Sequence, residues 1–392
     1  MNRFWNIVKN NITTVKHISA IGIADVVGSA ISSVFWLYLA SIMIAEEYGT
    51  IHYYIAIANI AATIALLGSE NTLRVYLPKQ VKIQTTLYII VFASSAITCL
   101  VLFFVYSKIE IIILTLGFVI SNLAIADTLG RKQFSVYSKF FILQKIILVI
   151  FAILLYYLLG TTGVILGLAV SFAPYVYQII RGFNDSKICF LLVKERLGFF
   201  LTSFVHTFTG VARGQVDKLI IAPMLGFELL GNYSFAFQIM ALLMIFPNII
   251  YKYTVPTDSS GKSTLTVKKT TVLISIIISV VSIFLTPIII SIFFPKYVLA
   301  SQALQILSFH PIPGSISLMI ISKFLGMEKN RLVLIGTLIS LSVNIGGVIV
   351  LGPLFGIIGA SLAFISSSIA NCIYLIVMNN KMKSDQSTPV IS

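Results

Sequence analysis

Residues 18–44 read ISAIGIADVVGSAISSVFWLYLASIMI, an apolar run with a single charged residue, Asp25. The run is longer than the roughly 7–15 residues of a signal-peptide core, and about 20 apolar residues suffice to cross a hydrocarbon layer. It is therefore expected to be a first, uncleaved membrane span. The preceding segment is short and basic, with Arg3, Lys9 and Lys16.

Eleven similar runs follow, at roughly 52–69, 86–106, 111–129, 140–159, 163–180, 198–224, 232–251, 270–294, 300–322, 332–351 and 356–378. The chain is 58% hydrophobic and only 10% charged, with a mean hydropathy of +1.00. That average excludes a soluble core with a solvated surface. The expected class is an all-α polytopic membrane protein with twelve transmembrane helices.

Charge on the links sets the orientation. Of 27 Lys and Arg residues, 22 fall on the N-terminus, the C-terminal tail and the links that share their side. Only Lys108 and Lys296 lie on the opposite links, and Lys145, Arg213 and Lys218 lie within spans. Lysine and arginine stay on the cytoplasmic side, so both termini are expected in the cytoplasm, in a multi-pass protein of the inner membrane.

The same inventory removes several functions. A net charge of +14 spread over many short loops is topogenic, and nucleic acid is not an expected partner. Cys99, Cys189 and Cys372 have no metal or redox spacing. The outward links are short, which leaves little room for the acidic or arginine-bearing loops of a membrane polymerase or ligase. No nucleotide-binding loop is present. Ser260-Gly261-Lys262-Ser263 matches only its end and lacks the first glycine at the required spacing. No catalytic residue, cofactor or metal is expected.

The chain echoes itself. AEEYGTIHYYIAI (45–57) resembles FELLGNYSFAFQI (227–239), pairing Glu46 with Glu228 and Gly49 with Gly231. LGRKQFSVYSKF (129–140) parallels LGMEKNRLVLIG (325–336), and GVILGLA (163–169) parallels GIIGASLA (356–363) at a slightly different offset. Each half holds six spans, an even number. The halves are thus expected to be parallel repeats about an axis along the membrane normal. The expected segments are a cytoplasmic N-terminus (1–17), an N-lobe (18–180), a cytoplasmic link (181–197), a C-lobe (198–378) and a cytoplasmic tail (379–392).

Through the E-x-x-G stretches, LGRKQFSVY and the G-x-x-G-A-x-L-A run, the chain resembles the polysaccharide-transporter branch of the multidrug/oligosaccharidyl-lipid/polysaccharide exporter superfamily. That branch contains O-antigen and capsule repeat-unit flippases. The resemblance covers residues 18–378. It implies two six-helix lobes in a V, with a central cavity lined mainly by helices 1, 2, 7 and 8. The chain is short for the family, with a compressed link around 256–268.

Ionisable groups within spans cost about 2.5–3.5 kcal/mol each to insert, so each needs a reason. At about 100° per residue, His206, Gly210, Arg213 and Asp217 fall within about 60° on one face of span 7, flanked by Thr202 and Thr209. Lys218 lies beside that stripe. Arg213 and Asp217 are an i, i+4 pair able to neutralise each other. The stripe either faces a wet cavity or joins helices in a lobe core. Asp25 shares a face with Ser29, Ser32 and Trp36, and is either a protonatable or cation-binding coupling group or a rim acid paired with lysine. Asn59 and Thr63 in span 2, and Gln238 and Asn248 in span 8, are either interhelical hydrogen-bonding groups or substrate contacts. Lys145 is expected to snorkel inward and Asp127 to order a loop with Arg131. His310, Pro311, Pro313 and Gly314 predict a kink in span 10.

The resemblance implies translocation of a lipid-linked, undecaprenyl-diphosphate oligosaccharide by alternating access. Candidate substrate contacts are Arg213, Lys218, His206, Asn59 and Gln238. Asp25 and Asp217 are the candidates for proton or sodium coupling. Expected partners are the lipid-linked substrate, membrane lipids and polysaccharide polymerase or export machinery, with the carrier itself a monomer. A cation-coupled multidrug exporter of the same superfamily is the alternative; it would favour an anionic cavity without Arg213.

Overall fold

The structure, a computed structural model, describes residues 2–183, 185–259 and 264–387. The 260–263 stretch lies outside the described residues. The fold is all-α. In chain order the helices are α1 (Asn2–Ile42), α2 (Ala45–Leu66), α3 (Ser69–Tyr76), α4 (Gln84–Tyr106), α5 (Ile109–Gly130), α6 (Phe134–Val170), α7 (Ala173–Phe183) and α8 (Phe190–Lys194). They continue as α9 (Leu197–Leu225), α10 (Phe227–Leu243), α11 (Ile245–Ser259), α12 (Leu265–Phe293), α13 (Val298–Leu307), α14 (Pro311–Gly326) and α15 (Asn330–Ser387). A helix satisfies its own backbone without water, which is why uniformly apolar segments adopt it in lipid.

Among the described residues, seven helical stretches are long and apolar enough to cross a bilayer, and two bent pairs supply two more. Phe134–Phe183 and Asn330–Met382 run to 50 and 53 residues, about twice a crossing. Each is interrupted by a glycine in left-handed conformation, Gly160 (φ 62°) and Gly356 (φ 56°), so each is a helical hairpin. The Thr, His, Arg, Asp and Lys residues of α9 keep it out of the apolar set; with it, twelve crossings are accounted for. The predicted kink in span 10 is a 49° bend between α13 and α14, at His310–Pro311. Span 8 bends by 50° between α10 and α11, just before Pro247, a signal the sequence reading did not use.

The internal repeat is written in the backbone. Lys132 and Glu328, 196 residues apart, both have φ of 58°. Gly160 and Gly356 have the same separation. A Cβ on Gly163 would strike the carbonyl oxygen of Leu155, and one on Gly359 would strike that of Leu351. Gly163 therefore corresponds to Gly359, not to Gly356 as the sequence echo suggests. Aliphatic neighbours are interchangeable, so only the glycine with a conformational demand fixes the register.

By packing, the chain forms two compact units: Met1–Tyr38 with Tyr54–Val211, and Leu39–Tyr53 with Ala212–Ser392. In the first, α5 is central and packs against α3, α4, α6 and α7. Leu114, Val119, Leu123 and Ala124 on α5 have no exposed surface. In the second, α14 packs against α11, α12 and α15, while α13 packs against α10, α12 and α15. Outer helices carry apolar side chains to the surface. Phe104 on α4 and Phe284 on α12 are 80% and 73% exposed, as a lipid-facing surface requires. Cys99, Cys189 and Cys372 are unpaired.

A polar clip secures the lysine-rich end of the second unit. Asp258 accepts hydrogen bonds from the Lys268 ammonium, the Thr264 hydroxyl and the Ser322 hydroxyl, tying α11 and α12 to α14. Burial alone would raise its pKa, but the hydrogen bonds from Lys268, Ser322 and Thr264 prevail and hold it below its ordinary 3.8. A depressed carboxylate stabilises the fold above its unfolded pKa and loses that contribution as pH falls through the folded value. Asp258→Asn is therefore expected to cost about 2 kcal/mol near neutrality, measured by thermal unfolding in detergent. The difference from wild type should vanish as pH falls below 3.8.

Candidate functional site

The stripe predicted on α9 is divided. His206 and Gly210 belong to the first unit, whereas Arg213, Asp217 and Lys218 belong to the second. Asp217 is 1% exposed. One carboxylate oxygen accepts a hydrogen bond from the Tyr233 hydroxyl (2.8 Å), and the other accepts from the backbone N–H of Lys218 (2.8 Å). The Lys218 ammonium lies 3.5 Å from that second oxygen, donates to the Gly214 carbonyl (2.6 Å) and sits 5.3 Å from the centre of the Phe237 ring. The expected Arg213–Asp217 pair is not formed, and Lys218 answers the Asp217 charge instead. Helical side chains lean towards the N-terminus, so Lys218 folds back over the preceding turn to reach the Gly214 carbonyl.

Arg213 is half-buried and among the described residues has no carboxylate within 4.0 Å. It lines a cavity of about 320 Å³ inside the second unit with Asn248 of α11, His310 and Ser317 at α14, and Ser368 and Asn371 of α15. The His310 Nδ1 lies 3.0 Å from the Ser368 hydroxyl, and its ring packs 5.1 Å from Phe364. Gly314 leaves room for that imidazole; a Cβ there would press on the ring and on the Met244 methyl. The cavity thus holds one permanent cation among amides and hydroxyls, with Met240 and Met244 in the wall. Such a lining can receive an oxyanion by forked N–H donation and hydrogen-bond to hydroxyl-rich groups beside it.

In the first unit, the Tyr137 hydroxyl donates to Asp25 at 2.7 Å. Tyr137 stacks on Phe141 at 5.5 Å, and the Lys145 ammonium lies 5.2 Å from the Phe141 centre. Tyr137, Phe141 and Lys145 follow at four-residue spacing on one face of α6. Gly28 on α1 accommodates the Phe141 ring, which a Cβ would strike. Asp25 is half-buried.

The remaining sequence candidates are dispersed. His206 is exposed on α9, while Asn59 and Gln238 are half-buried on α2 and α10. Thr63 donates to the Asn59 carbonyl at 2.8 Å, and Thr202 and Thr209 donate to Gly198 and Val205; all three hydroxyls bond within their own helices. Asp127 pairs with Arg131 at 2.8 Å, and Arg131 reaches Asp185 at 2.6 Å, which orders the loop end as expected. Sequence reasoning missed Tyr137, Tyr233, Ser368 and Asn371. The polar run Ser366-Ser367-Ser368 with Asn371, inside an otherwise apolar span, was the available signal for the last two. The tyrosines had none, because their acidic partners lie 112 and 16 residues away.

No protein-family model matches the chain, and no curated protein sequence does. Solved structures do. The lipid II flippase MurJ in an inward closed conformation superposes with a TM-score of 0.72 at 16% identity, covering 92% of this chain and 87% of that one. A multidrug resistance MATE family transporter of the MOP superfamily, in an inward-facing conformation, gives 0.70 at 14% identity, covering 93% and 96%. A MOP superfamily transporter from Pyrococcus furiosus, described as having a binding pocket of reverse polarity, gives 0.62 at 14%, covering 94% and 95%. The chain shares the fold of these transporters.

Proposed function

We propose that this protein is a transporter of the MOP superfamily that moves a lipid-linked oligosaccharide, of the undecaprenyl-diphosphate class, across a prokaryotic cytoplasmic membrane for surface polysaccharide assembly. The observation that carries this reading is Arg213, a cation without a carboxylate partner among the described residues, in a cavity of amides and hydroxyls. Such a cavity favours an anionic, hydroxyl-rich head group over the lipophilic cations of a drug exporter. The two charged groups further along α9 take a different part. Lys218 acts through Asp217, keeping that end of the helix neutral.

Alternating access needs an energy source, and no nucleotide-binding loop is present in the sequence. Of the two coupling candidates, Asp25 suits proton or sodium exchange better than Asp217. It is half-buried, within reach of water, whereas Asp217 is 1% exposed. Both termini would then face the cytoplasm, as the lysine and arginine distribution requires.

The test is complementation of flippase-deficient strains of several polysaccharide types, with membrane levels of each variant measured. Wild type should restore surface polysaccharide in at least one strain. Arg213→Ala should lower export by about tenfold to a hundredfold, the worth of a charge-assisted fork. Arg213→Lys should recover only part, since an ammonium cannot reproduce that fork. Equal export by wild type and Arg213→Ala would remove Arg213 from the site. A multidrug exporter is the second reading, favoured by the comparable MATE superposition. It predicts drug resistance that depends on Asp25 and is indifferent to Arg213.

A further inference from the structure

The first unit buries a carboxyl group that the site described above does not use. Glu70 stands in the first turn of the short helix α3 and is 7% exposed. Left-handed turns at Leu67 and Gly68 (φ 51° and 80°) bring α3 onto the first half of α9, so closely that a Cβ on Gly68 would strike the Phe204 backbone nitrogen. Along the same contact the Tyr76 ring meets Phe199 at 5.4 Å, and Asn71 donates to the Thr207 hydroxyl at 3.0 Å. Thr207 in turn hydrogen-bonds Glu70. Among the described residues no cation lies within 4.0 Å of the Glu70 carboxyl, and Arg74, one turn further on, is exposed with no carboxylate within that distance. Glu70 thus has two partners in reach. The threonine hydroxyl suits a neutral carboxylic acid, and the guanidinium suits a carboxylate.

We propose that Glu70 is a proton-binding switch: protonated, it stays with Thr207 and latches α3 to α9; ionised, it turns to Arg74 and loosens that latch. Burial disfavours the charged form and raises the Glu70 pKa above its ordinary 4.5, against the opposing pull of Arg74 and the Thr207 hydroxyl. Other charged or titratable groups on the elements around α3 are engaged elsewhere or face water. Asp127 of α5 is paired with Arg131, Tyr88 of α4 packs on Phe183, Lys79 and Arg196 lie over the Tyr76 ring, and His206 of α9 is exposed. Arg74 is therefore the counter-ion the carboxylate can claim, and glutamate followed by arginine four residues on is a favourable helical pair. Only a proton moves in the step. The carboxyl O–H bond breaks, its electron pair stays on Glu70, and the proton leaves to water on the exposed side where Arg74 stands. Helix α9 carries Arg213 six residues beyond Thr207, so the switch acts on the helix that bears the binding cation. Its use in a transport cycle rests on the transporter reading above, whereas the protonation itself does not.

Infrared titration of the full chain in detergent, wild type minus Glu70→Gln, reads the proton directly. The difference should show a carboxylic-acid band that persists above pH 4.5. Arg74→Gln, on an exposed side chain, should move the midpoint of that band to higher pH, because the carboxylate loses its counter-ion. Hydrogen exchange then reads the latch. Near pH 8 residues 200–207 should exchange faster in wild type than in Glu70→Gln, and near pH 4 the two should exchange alike. The sign follows from linkage: a carboxyl raised by folding stabilises the fold below its unfolded pKa and loses that contribution as pH rises through the folded value. In a strain whose surface polysaccharide wild type restores, Glu70→Gln, fixed in the latched form, should lose most export. A band that titrates at or below 4.5, a midpoint unmoved by Arg74→Gln, or equal exchange near pH 8 would overturn the switch. Unchanged export by Glu70→Gln would remove it from the transport cycle. The titration needs no substrate, so its failure and that of the transporter reading are separate results.

Discussion

Lys218→Met is expected to destabilise the protein by about 3 kcal/mol, because it strips a buried carboxylate of its counter-ion. Asp217 and Lys218 are 1% and 7% exposed, and no other cation lies within 4.0 Å of Asp217 among the described residues. The Tyr233 hydroxyl and one backbone N–H would remain as its partners, a neutral pair of donors to a charge held out of water. The double variant D217N/K218M removes both charges and should recover most of the loss, since a buried ion pair is often replaceable by a neutral pair at little cost. Thermal unfolding in detergent reads both. If Lys218→Met melts with wild type, or the double variant melts as low as the single, the two side chains do not form the unit described.

Gly231→Leu should yield no monodisperse folded protein, and Gly231→Ala should cost about 2–3 kcal/mol. The start of α2 crosses α10 at Gly49 and Gly231. A Cβ on Gly231 would collide with the Ala45 carbonyl oxygen, and one on Gly49 with the Phe227 carbonyl oxygen. The obstacles are backbone atoms, so no rotamer change relieves them. Small residues let helices in lipid approach to this distance, where dispersion and polar contacts replace the missing hydrophobic drive. Tyr53 packs against Phe227 at 5.4 Å at the same crossing, and the neighbouring Asn232 side chain accepts from the Ala300 N–H at 3.1 Å, which holds α10 to α13. Gly210 and Gly214 on α9 are the internal control, since a Cβ at either meets nothing within 4 Å. Gly210→Ala should be neutral or slightly stabilising in unfolding assays. Wild-type melting of Gly231→Ala would show that the crossing is looser than its backbone implies.

The glycine pair also shows what can be read from sequence. Gly49 and Gly231 are repeat-equivalent positions of the E-x-x-G echoes, and they prove to be partners in one contact. The echo at 129–140 and 325–336 was legible for the same reason, for Lys132 and Glu328 share a rare backbone conformation that short motifs retain. The echo near Gly163 was misaligned because several glycines compete in a run of interchangeable aliphatics. Only the close approach of Gly163 to Leu155, and of Gly359 to Leu351, distinguishes the true register.

Hydropathy alone determined that the chain crosses the membrane many times, and lysine and arginine counts alone supplied the expected orientation. Both depend on the price of charge in lipid, which each segment meets by itself. Helical periodicity likewise placed Arg213, Asp217 and Lys218 near one another on α9. The tertiary structure decided their roles. Asp217 is claimed by Lys218 and by Tyr233 of α10, Arg213 is left in the cavity with His310 and Asn371, and Asp25 finds Tyr137 from α6. A residue's angle on its helix is a local quantity, whereas the group standing opposite is set by how other helices pack, and no spacing within one span encodes that.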